Sequence, residues 1–312
     1  MRKFLMLCLG LGLSLTLAQQ PPAQPPKDNR FMNVATGSPT GTYAKIYKDM
    51  GKICTQASYL LERGTSGTLE NIELLLSNQV SMAFLQVDAL EAKKQIDQDP
   101  RVDQIKALIP LYPEEIHVIV RADLANITGN FLTRKKVLVT KVSELKGKNV
   151  GAWGGSFVTA KVINARGGGF KQLFFFDGKN AQADGLKALS EGKLDGIVAV
   201  GGQPLGWIRD LPPGQFRLLN FDLKDIPERI YKPARISYPN LATDSVQTIS
   251  VQSLLATRDF KTPERAKLLT QYRQCVIDKI IELREGEGNH PKWSVVEPDS
   301  DPPWPKYDPV IK

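Results

Sequence analysis

The feature that most constrains this chain is a repeated unit: a short apolar run, a turn of glycine, serine and threonine, then apolar residues at helical spacing. Residues 31–35 read as a strand, followed by the turn Thr36-Gly37-Ser38-Pro39-Thr40-Gly41-Thr42. Tyr43, Ile46, Tyr47, Met50 and Ile53 then share one helix face. Residues 59–61 form a second strand with its turn at Gly64-Thr65-Ser66-Gly67-Thr68, and Leu69, Ile72, Leu75 and Leu76 mark a second helix. A third strand at 82–85 completes a βαβαβ order, which predicts a parallel sheet flanked by helices.

The alternation restarts downstream. Residues 149–153 read as a strand, Gly154-Gly155-Ser156 as a turn and 157–164 as a helix. A strand at 171–176, a helix at 181–189 and a strand at 196–200 follow, ending at Gly201-Gly202. Between the two units, 105–111 and 116–120 read as two extended runs separated by Tyr112-Pro113-Glu114-Glu115, leaving the first lobe. Residues 134–148 are irregular and basic and read as a solvated insertion. A return strand is expected at 247–256, then one long helix from an N-cap at Thr262, with Pro263 at its first position, to about Arg284. Residues 291–312 carry six prolines with Trp293, Trp304 and Tyr307, a tail pinned along the surface rather than a regular element.

The N-terminus is of another kind. Arg2 and Lys3 precede an apolar run shorter than the ~20 residues of a membrane span, closed by Ala18. This is the pattern of a cleaved signal peptide over 1–18, and 19–30 is a proline-rich leader. The formal charge of +8 therefore includes two positive charges in the segment to be removed. Nucleic acid is not an expected partner, because the basic stretch lacks interleaved aromatics and the protein is exported. With Cys8 inside the signal, Cys54 and Cys275 remain, either bridged or as two buried thiols.

The three turns share a chemistry. Ser38, Thr40, Gly41 and Thr42, then Thr65, Ser66, Gly67 and Thr68, then Gly154, Gly155 and Ser156 each stand where a strand's carboxyl end meets a helix start. Free backbone N–H groups, the helix dipole and hydroxyl donors make such ends anion sites, and ligands of open parallel sheets gather there. No nucleophile elbow, phosphate loop or dinucleotide fingerprint is present. His117 and His290 are too isolated for a metal site and read as structural, so neither metal nor cofactor is expected.

The blocks VATGSPTGTYAKI, GTSGTLENIELL and SMAFLQVDAL, then LKGKNVGAWGGSFVTAKVI, GKLDGIVAVGGQP and SVQTISVQSLLAT, resemble the solute-receptor subunits of the TAXI branch of TRAP transporters over 31–284. The resemblance implies a two-lobed periplasmic binding protein fold of α/β class, with 31–118 and 246–290 in lobe I and 119–245 in lobe II. It implies a monomeric, non-catalytic periplasmic receptor that closes on a small anionic ligand, a carboxylate of the glutamate, dicarboxylate or 2-oxoacid kind. The ligand would pass to TRAP-type membrane permease subunits. Carried over by position, Ser38, Thr40, Gly41, Thr42, Tyr43, Ser66, Thr68, Asn71, Gln86 and Asp88 would contact ligand from lobe I. Ser156, Thr159, Gly201, Gly202 and Gln203 would contact it from lobe II. Arg63, Arg121 and Arg235 are candidates for an additional clamp. The chain departs from the family at Phe157, in the 121–145 segment and in the proline-rich tail. The alternative on the same fold is an exported enzyme or ligand-sensing protein.

Overall fold

The alternating pattern folds largely as its periodicity dictates. β1 (Phe31–Ala35), α1 (Thr42–Ile53), β2 (Tyr59–Arg63), α2 (Thr68–Leu76), β3 (Met82–Gln86) and α3 (Val87–Gln95) follow in order, with β1 parallel to both β2 and β3. All five residues of β3 are buried, as a strand covered by helices on both faces requires. The computed structural model describes residues 31–55, 58–260 and 262–309. The expected signal peptide, the leader and the last three residues of the expected tail lie outside them.

The first departure from expectation is β4 (Ile105–Arg121), a single 17-residue strand where two were read. The Tyr112-Pro113-Glu114-Glu115 segment stays extended instead of turning. It lies opposite Gln252, Val251 and Ser250 of a second long strand, with a register shift at Gln252 that accommodates it. A prolyl residue followed by two acids looks like a turn, but here both carboxyl groups are buried and ordered by specific partners.

A hairpin of β5 (Ala125–Thr128) and β6 (Lys135–Leu138) follows, then β7 (Asn149–Trp153), α4 (Ser156–Ile163), β8 (Gln172–Phe176), α5 (Ala181–Ser190) and β9 (Gly196–Gly201). The basic stretch is thus not wholly solvated. Part of it is the exposed strand β6, but Val139, Val142 and Leu145 return to the core. After β9 come the single turn α6 (Gly206–Arg209), β10 (Phe216–Leu218), β11 (Tyr231–Ile236) and β12 (Val246–Arg258). Among the described residues ten strands share one sheet. Its main path runs β2-β1-β3-β12-β4-β9-β7-β8, with β10 on β4 and β11 on β12.

β4 and β12 connect the two halves. β4 pairs with β12 over Ile105 to Glu115 and with β9 over Glu115 to Val120. β12 pairs with β11 over Val246 to Val251 and with β3 over Ser253 to Ala256. Met32, Ile46, Met50, Phe84 and Tyr272 pack in one core on the β1–β3 side, and Ile119, Leu189, Ile197, Ile208 and Phe216 in another beyond β9. Each such Leu, Ile, Met or Phe side chain contributes about 1.5–3 kcal/mol through burial.

The expected final helix is two, α7 (Pro263–Asp278) and α8 (Ile280–Glu285), broken at Lys279, whose φ of −100° and ψ of 11° leave the helical region. Neither glycine nor proline marks that break. The bridge between Cys54 and Cys275 is formed, with Cα atoms 6.0 Å apart, and ties the end of α1 to α7. The proline-rich segment then packs inward: Trp293, Trp304 and Tyr307 are all buried. The Trp304 indole donates to the Ile105 carbonyl at 2.9 Å and the Trp293 indole to Asp49 at 3.0 Å. Among the described residues no helix is long and apolar enough to cross a membrane.

Candidate functional site

The starts of α1, α2 and α4 converge on one cleft, between the carboxyl ends of β1 and β3 on one side and of β7 and β9 on the other. Gly37, Ser38, Gly41, Thr42, Tyr43, Ser66, Gly67, Thr68 and Gln86 line it from the first lobe. Trp153, Gly154, Gly155, Ser156, Gln182, Gly201 and Trp207 line it from the second, and Glu114 of β4 closes its inner end. About 90 Å³ is open to the centres of water-sized molecules, against the roughly 10–15 Å³ that a single water needs.

The lobes meet around this cleft through backbone. A Cβ on Gly67 would lie 3.8 Å from the Gly154 Cα, and Gly154 itself sits beneath the Ser66 carbonyl. Both glycines have positive φ, +115° and +48°, which side-chain-bearing residues rarely adopt. A side chain on Gly155 would run into the Gln86 amide and Thr68. The Thr42 hydroxyl reaches across to donate to the Gly202 carbonyl at 2.9 Å. These contacts describe a closed arrangement.

The donors at the helix starts are partly open; in α4 the Phe157 and Val158 N–H groups already bond the Gly154 and Gly155 carbonyls at 3.2 and 3.0 Å. Among the described residues no side chain caps α1, α2 or α4, so the first N–H groups of three helices end at or beside the cleft. Ser156 accepts the Val200 N–H at 2.9 Å, which leaves its own O–H free to donate. Ser66 donates to Glu70 at 2.9 Å. The Ser38 hydroxyl lies 3.2 Å from that of Thr40. Trp153 and Trp207 stack edge to face, ring centroids 5.8 Å apart, as an apolar wall.

Glu114 provides the negative side. It is buried, and its Oε2 accepts the Tyr43 hydroxyl at 2.7 Å, while Gln86 also donates to it. Burial first of all, and then the neighbouring acids Asp88 and Glu115, push its carboxyl up to about 8. Gln86 is 3% exposed, and its Oε1 has no partner among the described residues. None of the residues lining the cleft is a lysine or an arginine.

The remaining residues expected near the ligand have other occupations. Asn71 donates to the Thr36 and Phe84 carbonyls at 2.6 and 2.8 Å and accepts the Thr65 hydroxyl at 2.6 Å, stitching β1, β3 and the second turn together. Asp88 accepts Thr159 at 2.6 Å and Tyr231 at 2.8 Å, a buried contact beside the cleft rather than in its wall. Burial raises the Asp88 carboxyl above the usual range. Gln203 donates its N–H to Glu115 and its amide to the Arg235 carbonyl, at 2.9 and 2.8 Å. Thr40 is exposed, and Gly202 packs on Tyr112 and Lys292. Arg63, Arg121 and Arg235 bind Gln79, the Leu194 carbonyl with Asp123, and Ser245 respectively.

Sequence reasoning missed Glu114, Trp153, Gln182 and Trp207. For Glu114 a signal existed: two adjacent acids inside an otherwise apolar extended run have to be solvated by a turn or held at a site. The histidines are structural. His117 pairs with the Tyr238 hydroxyl at 3.1 Å and burial holds it down to about 3. His290 Nδ1 accepts the Lys292 N–H at 3.1 Å and burial holds it to about 4. No group of three or more potential metal ligands is assembled among the described residues.

The fold has relatives among solved structures. Tv2483 bound to L-arginine is similar over 83% of this chain and 91% of its own, with a TM-score of 0.52 at 10% identity. An ancestral arginine-binding protein bound to arginine aligns over 85% of this chain and 96% of its own, TM-score 0.49, 14% identity. The Bordetella pertussis BvgS periplasmic VFT2 domain aligns over 78% and 87%, TM-score 0.46, 13% identity. At such identities the likeness is one of architecture, the two-lobed α/β fold of periplasmic binding proteins. The sequence profile of the NMT1-like family matches residues 34–273, most of the chain, and the protein belongs to that family.

Proposed function

We propose that the protein is an extracytoplasmic solute-binding receptor that captures a small carboxylate-bearing ligand by lobe closure and delivers it to a TRAP-type permease, as in the TAXI branch. The single observation that carries this reading is the convergence of three uncapped helix starts, from both lobes, on one cleft. Such ends hold a carboxylate without a cationic side chain, through N–H donors and the helix dipole. A ligand held by both lobes favours the closed state by its differential affinity for it. The lobe boundaries belong to this reading: 31–118 with 246–290 as lobe I and 119–245 as lobe II, hinged where β4 and β12 pass between them. So does a periplasmic location after removal of the N-terminal 18 residues. The bound solute named for Tv2483, L-arginine, favours amino acids within the carboxylate class.

Thermal shift of the mature protein against amino acids, dicarboxylates and 2-oxoacids tests the proposal. A saturable rise in Tm, with the ligand recovered intact by mass balance, is expected. Steady consumption of the ligand would make the protein an enzyme, and no shift from any member would remove the receptor reading.

A further inference from the structure

We infer that Glu114 and Gln86 form a receptor site for the ammonium group of the ligand, so that the cleft selects α-amino acids over the dicarboxylates and 2-oxoacids that lack that group. This rests on the receptor reading and narrows its substrate class. The cleft is chemically two-sided. Its helix starts and the Ser156 hydroxyl present donors, suited to a carboxylate. Its inner wall presents acceptors: the Glu114 carboxyl and the unpartnered, buried Gln86 Oε1. The two acceptors stand on β3 and β4, the strands that flank β12 at the sheet's centre. A ligand with only carboxylate groups would satisfy the donors and leave Gln86 Oε1 unpaired beside Glu114. A zwitterion satisfies both ends.

The electrostatics of the wall agree. The groups around Glu114 are Tyr43 of α1, Gln86 of β3, Asp88 of α3, and Glu115 and Tyr112 of β4 itself. Val251 of β12, opposite in the ladder, is apolar. Asp88 is engaged by Thr159 and Tyr231, and Glu115 by Lys292 and the Gln203 N–H. Lys292 is thus committed to Glu115, and the lining of the cleft supplies no cation to Glu114. The carboxyl is consequently held mostly protonated at neutral pH, at about 8, by burial. An arriving ammonium supplies the missing partner and displaces that proton. Binding of an amino acid therefore releases a proton, and its affinity rises with pH up to the free-state value, by at most roughly 50-fold between pH 6 and 8. A dicarboxylate or 2-oxoacid held against the same wall gives the opposite slope, because it needs Glu114 protonated.

The experiment compares matched probes, L-glutamate against 2-oxoglutarate and L-glutamine, L-arginine and L-leucine against their 2-oxoacids, by calorimetry at pH 6, 7 and 8. The mature protein and the Glu114→Gln and Gln86→Leu variants are titrated alike. Tighter binding of at least one amino acid than of its oxoacid is expected, with affinity rising with pH. Glu114→Gln should abolish that slope and weaken amino-acid binding by at least about 30-fold. Gln86→Leu should weaken amino-acid binding and keep the slope. Equal or tighter binding of the oxoacids, or a pH slope unchanged in Glu114→Gln, overturns the ammonium site and leaves the receptor reading standing. Binding of neither class overturns both. Circular dichroism of the variants separates a lost site from a lost fold.

Discussion

Residues that look alike in the sequence divide by what they touch. Ser38, Thr68 and Ser156 face the cleft, whereas Asn71, equally polar and in the same turn-and-helix block, spends every side-chain bond on backbone carbonyls and Thr65. Asn71 is fully buried. Replacing it with alanine strands the Thr36 and Phe84 carbonyls, and a stability loss of about 2–4 kcal/mol is expected in urea unfolding. A loss below 1 kcal/mol with impaired ligand binding would instead make Asn71 a ligand contact. Turn chemistry was legible at this scale because helix starts demand glycine and small hydroxyl residues locally. What was not legible is which polar group turns inward to neighbouring strands, since that depends on pairing partners distant in sequence, as Asp88 finds Thr159 and Tyr231.

The elements that could be read from the sequence are those with a local period, β1 to β3 and β7 to β9, together with the return strand β12; α3, directly after β3, was not among them. Those that could not are set by tertiary partners. β10 has three residues and exists because it pairs with the end of β4, and β11 is buried only at its two ends, with Pro233 exposed in its middle. β4 was read as two strands because Pro113, Glu114 and Glu115 form a turn signal that neighbouring elements override. Glu115 shows how. It lies on the crossing strand, accepts the Gln203 N–H from the loop after β9, and forms a buried ion pair with Lys292 of the C-terminal segment. That segment is therefore a strap across the point where the halves join, secured further along by Trp293 on Asp49. Lys292→Ala leaves Glu115 buried without its cation and should cost about 3–5 kcal/mol in chemical denaturation. The double replacement Glu115→Gln with Lys292→Met should recover much of that loss. A single variant as stable as the parent would show that the strap's charge pair contributes nothing to the join.

At the scale of the molecule, two polypeptide crossings, β4 and β12, hold two α/β halves whose helix starts face each other across glycine. The geometry at Gly67, Gly154 and Gly155 permits the halves to approach until backbone meets backbone, and the cleft exists only because that approach is possible. Closure on a small solute is the central claim. Calorimetric titration of an amino acid that stabilises the parent protein, repeated with Gly155→Val, tests it most directly. The valine side chain would collide with Gln86 and Thr68 of the opposite lobe and hold the cleft open without touching either core. Saturable binding of one ligand per chain in the parent, lost in a folded Gly155→Val variant, is the predicted result. Undiminished affinity in that variant would contradict closure between the lobes as the basis of binding.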